Sequence, residues 1–227
     1  MPAEGSNVST EDPGTTRRSE PQFTIGEEIA NSVTHGVGAV LSLAGLVALL
    51  AVGVLRGGAP RIASFAIYGA TLVLLHLAST LYHALRPPKA KRVFRIFDHA
   101  AIYLVIAGTY TPFTVLAADK PMGWIVLGVI WALAITGVVL KSIFLGRLVI
   151  ASTVAYALMG WAGLFMLGAI HRTLPWGAIA WLLGGGFAYT LGIIFFAWKR
   201  LPFAHMVWHL LVLIGVSCHF VSVLVYL

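Results

Sequence analysis

The chain has 227 residues, of which 59% are hydrophobic and only 10% charged, with a formal net charge of +7. A soluble domain carries about 25% charged residues, so this chain has too little polar surface to cover a globule in water, which excludes a soluble protein. Its basic residues are spread over many loops rather than gathered on one face, which argues against a nucleic-acid partner, and its single cysteine, Cys218, excludes an internal disulfide or a cysteine-based zinc knuckle.

Residues 1–24 hold Ser, Thr, Glu, Pro and Gly and almost nothing apolar, and predict a disordered cytoplasmic tail. The first apolar run begins near residue 29 behind an acidic flank, so it is expected to stay in the protein as a spanning helix and not to be removed as a signal peptide. Seven apolar runs follow in order: Ile29–Leu55, Ile62–Leu85, Ile102–Ala118, Pro121–Leu140, Leu148–Ile170, Leu174–Trp198 and Leu201–Leu227. Most reach the ~20 residues that span a bilayer, and the third does so if it starts near Asp98. With no water to pair the backbone, these runs must be helices. Residues 25–227 are therefore predicted to form an all-α membrane protein, a seven-transmembrane-helix bundle whose short connections make sequence neighbours antiparallel.

Lys and Arg set the orientation. If the N-terminus is cytoplasmic, the inside segments carry Arg17, Arg18, Arg86, Lys89, Lys91, Arg92, Arg95, Lys141, Arg147, Lys199 and Arg200, against Arg56, Arg61, Lys120 and Arg172 outside. The positive-inside rule then places the N-terminus in the cytoplasm and the C-terminus outside.

That topology brings several ionisable side chains to one depth. Ser79 and His83 lie at the cytoplasmic end of the second run, Asp98 at the start of the third, and His205 and His209 in the first turns of the seventh. Such groups are costly in a bilayer and mark function. His205 and His209 are i and i+4, one turn apart on one helix face, the spacing by which two imidazoles grip one zinc ion in HExxH. His83 can supply a third ligand. Three His ligands leave a fourth tetrahedral position for water, the arrangement of a catalytic zinc, and zinc brings the pKa of such water to about 7. Asp98 could hold that water and accept its proton. Ser79, one turn before His83, could bind the water or an oxyanion.

Each residue also has a plainer explanation alone. A lone intramembrane His can be an interhelical hydrogen-bond partner, Asp98 can pair with Arg95 or Lys199, and a helical Ser can bond its own i−4 carbonyl. Glu27, Asn31 and His35 form a stripe entering the first helix and read as capping or packing residues, or as further lining of the same cavity. His99 is rotated about 100° from Asp98, and His76 and His219 lie too far along their helices to join the metal. His171 reads as a loop residue. The Gly108-Thr109-Tyr110-Thr111-Pro112 run reads as a kink or close-packing point, and Gly184-Gly185-Gly186 as close packing or local flexibility.

The residues Glu-Glu-Ile-Ala-Asn-Ser-Val-Thr-His at 27–35, Ser79-x3-His83, Phe97-Asp98-His99 followed by Ala107-Gly108-Thr109-Tyr110-Thr111-Pro112, and His205-x3-His209 together resemble the hemolysin III family, the bacterial branch of the progestin and adipoQ receptors. The resemblance runs from about residue 24 to the C-terminus. It implies seven helices with a cytoplasmic N-terminus, zinc held by His83, His205 and His209, and Asp98 as the water-holding carboxylate. The wider superfamily includes alkaline ceramidases, and bacterial members are linked to membrane-lipid homeostasis. The chain lacks a long C-terminal tail or folded N-terminal domain for a protein ligand, so no protein hormone is expected as a partner.

The expected function is a zinc-dependent hydrolase of lipid amide or ester bonds, resident in the bacterial plasma membrane and taking a membrane lipid as substrate. A pore-forming cytolysin and a zinc sensor or transporter are the other readings. A pore needs polar residues along its length, and a transporter site usually lies at the midplane with access to both faces. A retinal protein is excluded, since the seventh run has no Lys for a Schiff base.

Overall fold

The computed structural model describes residues 23–227; most of the expected tail, up to residue 22, lies outside them. Its last two residues belong to the helical domain. Thr24 is the N-cap of α1 (Ile25–Arg56). Its amide and hydroxyl both donate to Glu27 Oε2 at 2.9 Å, while the Glu27 amide donates back to Thr24 Oγ1 at 3.3 Å. This capping box pairs backbone groups that the first turn would otherwise leave open.

The remaining elements are α2 (Ala59–Ala84), α3 (Pro88–Leu116), α4 (Lys120–Ile143), α5 (Val149–Trp161), a 3-10 segment (Ala162–Met166), α6 (Leu167–His171), α7 (Trp176–Ala197) and α8 (Ala204–Tyr226). No strand occurs among the described residues. Seven helical stretches are long and apolar enough to cross a membrane, with Val149–His171 counting as one. The all-α, seven-span fold read from the sequence is the fold observed, and the chain is an integral membrane protein.

Two boundaries differ from the sequence reading. Helix α3 starts at Pro88, well before Asp98, and its first turns carry Lys89, Lys91 and Arg92. Proline suits a helix start because its missing N–H would be unpaired there anyway, but hydropathy cannot see a basic lead-in. His171 closes α6 instead of lying in a loop, with its ring 4.0 Å from that of Trp176.

The fifth span breaks where the 3-10 segment begins. Backbone groups freed inside a bilayer need new partners, and the Tyr110 hydroxyl lies within reach of two, 2.7 Å from the Met159 carbonyl and 3.1 Å from that of Gly160. Trp161 Nε1 donates to Thr190 Oγ1 at 3.0 Å and ties this broken span to α7.

Packing follows chain order: α1 on α2, α2 on α3, α3 on α4 and α7 on α8, with α1 meeting α8, while α5 and α6 pack more sparsely. The shared core joins Leu49 of α1, Phe65, Tyr68 and Leu72 of α2, Ala101 and Val105 of α3, and Val212 and Val216 of α8. Both glycine runs are close-packing points. A β-carbon at Gly108 would sit 2.2 Å from Thr71 Oγ1, and one at Gly185 2.4 Å from His219 Cδ2, so only glycine lets those helix pairs approach.

Polar ties fix the two ends of the bundle. At one end Arg61 donates to the carbonyls of Arg56, Gly57 and Leu227, joining the α1–α2 turn to the end of α8. Arg172 pairs with Asp119 in the loops. At the other end the Phe203 amide donates to Glu27 Oε1 at 3.1 Å, which holds the start of α8 against the start of α1. Phe203 is in the left-handed region with φ 58°, an uncommon state for a bulky residue that makes the sharp turn from Pro202 into α8. His205 and His209 are thereby delivered beside α1 and α2.

Candidate metal centre and its cavity

The end of α2, the start of α8 and the first turns of α1 converge on a cluster of imidazoles. His83, His205 and His209 each offer a ring nitrogen, and these three atoms lie within 4.8 Å of one another. Ring centroids are 5.2 Å apart for His83–His205 and His83–His209, and 4.6 Å for His205–His209. Nε2 of all three rings is buried without a hydrogen-bond partner, as is Nδ1 of His209. Buried nitrogens left unpaired are strongly disfavoured, and a shared cation would satisfy one on each of the three rings. A tetrahedral zinc with Zn–N of about 2.0–2.1 Å needs its ligands somewhat closer than 4.8 Å, a closure within reach of side-chain rotation. Three neutral nitrogen donors, with none of them carrying negative charge, fit a borderline metal of the zinc type better than calcium or magnesium, which prefer oxygen.

The other predicted site residues are placed as follows. Asp98 is buried at 5% exposure and lines a cavity together with His35 and His205. Its Oδ2 is 3.4 Å from His99 Nδ1, but that nitrogen lies closer to the Arg95 carbonyl, at 2.8 Å, so the carboxylate is not consumed by this contact. Ser79 is fully buried and its Oγ has no hydrogen-bond partner, so the plainer reading of a hydroxyl bonded to its i−4 carbonyl does not hold. His76 and His219 stand outside the cluster. His76 Nδ1 lies 2.9 Å from both Ser42 Oγ and the Leu72 carbonyl, and His219 Nε2 lies 3.1 Å from the Leu182 carbonyl.

Four residues matter more here than their sequence pattern suggested. The ring of His35 stacks on His209 at 3.7 Å and 20° and meets His76 edge-on at 5.1 Å. Both its nitrogens are unpartnered, as are both polar atoms of the fully buried Asn31 side chain. Glu28 Oε2 accepts from His83 Nδ1 at 2.6 Å, and its Oε1 accepts from Lys91 Nζ at 2.7 Å. Phe23 covers the cluster from the start of α1, with its ring 4.8 Å from His205 and 5.6 Å from His83. Glu27, by contrast, is the capping residue of α1.

The cavity has a volume of about 230 Å³ and lies between α3, α5–α6, α7 and α8. Its wall holds His35, Asp98, His99 and His205 at one extreme, and Phe113, Ile170 and Leu182 at the other. Along α3 the lining runs from Asp98 to Phe113, roughly 22 Å at 1.5 Å per residue. Ile102, Val105 and Ile106 make that stretch apolar. The sparse packing of α5 and α6 is what leaves the space.

Comparison with known proteins identifies the family of the chain. A family profile described as "Haemolysin-III related" matches residues 23–220. "Hemolysin-3" of Bacillus cereus is 44% identical over 202 residues, covering 89% of this chain and 92% of that protein. "Hemolysin-3 homolog" of Bacillus subtilis (strain 168) is 42% identical over 204 residues, covering 90% and 96%. The human "Monocyte to macrophage differentiation factor" is 28% identical over 167 residues, covering 71% and 69%. No solved structure gives a significant match. A profile spanning residues 23–220, and relatives matched across nearly their full length, show that the chain belongs to the haemolysin-III family.

Proposed function

We propose that this chain is a zinc-dependent hydrolase of lipid amide or ester bonds in the bacterial plasma membrane, oriented with its imidazole cluster in the cytoplasmic leaflet. One observation carries the reading: three histidine nitrogens converge, and one of these histidines, His205, shares the wall of a long apolar cavity with the buried Asp98. His83, His205 and His209 would hold the ion. When bound, it supplies a Lewis acid that polarises a carbonyl and makes water acidic enough to ionise near neutral pH.

The chain's own residues then have distinct tasks. The apolar wall of α3 takes the acyl chain of the substrate lipid and brings its carbonyl to the polar end. Asp98 accepts a proton from the attacking water as the new C–O bond forms. It returns that proton to the leaving nitrogen or oxygen as the amide or ester bond breaks. The Ser79 hydroxyl and the one ring N–H of a neutral His35 are the donors proposed for the carbonyl oxygen. Phe23 and the surrounding helices exclude bulk water, which strengthens every polar contact inside.

The names of the two Bacillus relatives favour a second reading, membrane lysis. The apolar character of the cavity weighs against a water-filled pore, which needs polar lining throughout. Purified protein in liposomes distinguishes the two. The hydrolase reading expects release of fatty acid from some members of a panel of acyl-amide and acyl-ester lipids, stopped by chelator and restored by zinc, with no leakage of entrapped dye. Dye leakage without lipid cleavage across the whole panel would contradict it. Orientation rests on the Lys and Arg bias. In a Cys218→Ser background, a cysteine at Lys89 should react only from the cytoplasm and one added after Leu227 only from outside; the reverse pattern would overturn it.

A further inference from the structure

A histidine binds a metal through a bare ring nitrogen, so the other nitrogen must carry the proton. His83 Nδ1 lies 2.6 Å from Glu28 Oε2. A carboxylate can only accept, so this contact requires Nδ1–H. The neutral ring then presents Nε2 as a lone pair, and Nε2 is the atom that is buried without a partner in the imidazole cluster. Glu28 is itself fixed from its other oxygen by Lys91 Nζ at 2.7 Å, and Lys91 is held by the Tyr82 carbonyl at 3.1 Å. The ring of His83 has thus been turned and set in one tautomer before any ion arrives. We infer that Glu28 is the positioning residue of the metal centre: its carboxylate selects the Nδ1–H tautomer of His83 and aims Nε2 at the ion, with Lys91 steadying the carboxylate. The inference rests on the reading of His83, His205 and His209 as metal ligands.

The opposing account is that Glu28 merely ties α1 to α3 through Lys91. The two differ in what Glu28→Gln and Lys91→Met do. The Gln amide can offer N–H to Nδ1, which favours the Nε2–H tautomer and removes the lone pair the ion needs. Zinc affinity, measured by competition with a chromophoric chelator, should fall by about 10–100-fold, the range for losing a carboxylate behind a metal-bound His. The visible spectrum of the cobalt-substituted protein should change with it. Lys91→Met removes the same tie between helices but leaves the carboxylate on Nδ1, so affinity should fall by less than about threefold, the scale of a partly exposed ion pair. Metal-free native protein gives a readout that needs no variant: the 15N shifts of the His83 ring should show Nδ1 protonated and Nε2 bare. The inference is overturned if the ring shows the opposite tautomer, if Glu28→Gln binds zinc as tightly as the native chain, or if Lys91→Met weakens zinc as much as Glu28→Gln. Zinc binding by the native chain with no effect of Glu28→Gln defeats this inference alone. No zinc binding by the native chain defeats the site reading and this inference together.

Discussion

His209→Ala is expected to abolish zinc binding and to remove the effect of zinc on thermal stability. His209 is fully buried, both its ring nitrogens lack partners, and its ring is packed between His35 at 3.7 Å and His205 at 4.6 Å. Alanine removes one of three nitrogen donors, and no other described residue joins the metal-ligand cluster to replace it. The affinity loss should exceed the roughly 10–100-fold typical of residues behind the ligands. Stability follows by mass action, because a ligand that binds only the folded state at 100 times its Kd adds about 2.7 kcal/mol. Native protein should therefore melt several degrees lower when chelator is added. His209→Ala should melt low from the start and not respond to chelator at all. A variant that keeps a chelator-sensitive melting temperature would show that the ion is held elsewhere.

The Asp98→Asn substitution should separate binding from chemistry. The amide keeps the size of the carboxylate and part of its hydrogen bonding, but it loses the charge and cannot take a proton. All three His ligands are intact, so zinc should stay, weakened by about 10–100-fold at most. Cleavage of any lipid the native protein hydrolyses should drop by about 10²–10⁴, the usual contribution of a general base. Loss of zinc as complete as in His209→Ala would make Asp98 a direct ligand. Zinc and full activity together would leave Asp98 as a structural partner of α3 and deprive the hydrolase of its base.

The seven spans were legible because lipid allows the backbone few solutions, and composition alone exposes long apolar runs. The starts of helices were less so. Helix α3 extends back to Pro88 through a basic stretch, and the fifth span is broken at Ala162–Met166, a change that depends on Tyr110 meeting two freed carbonyls and not on local hydropathy. The histidine cluster was readable because two independent signals met: the i,i+4 spacing of His205 and His209, and a common depth for His83 fixed by loop charge. Glu28 was hidden by its neighbour. Glu27, Asn31 and His35 look like one stripe by their fourfold spacing. On a helix of 100° per residue, however, Glu28 lies about 20° from His35 and Glu27 about 80°. Rotation, rather than spacing in steps of four, identifies Glu28 as the carboxylate on the His35 face. Glu27 is then left free to cap α1 and to hold the Phe203 amide at 3.1 Å. Ser79, Asp98 and the place of His35 on the cavity wall were legible as candidates, whereas the stacking of His35 on His209 was not, because it depends on how α1 meets α8.

The same contacts explain why the centre sits where it does. Glu27 anchors α8 to α1, the left-handed turn at Phe203 starts α8 abruptly, and Glu28 joins α1 to His83 of α2 and Lys91 of α3. Fold and site are thus set by one group of ties at one end of the bundle.

The central claim is that His83, His205 and His209 form a zinc site, and the metal content of the purified native chain tests it most directly. Protein extracted and purified in detergent without chelator, then analysed by elemental mass spectrometry, should contain about one zinc per chain, the number that one three-histidine site can hold. A content below about a tenth of an equivalent, not raised by incubation with zinc and removal of the excess, would contradict a three-histidine zinc site.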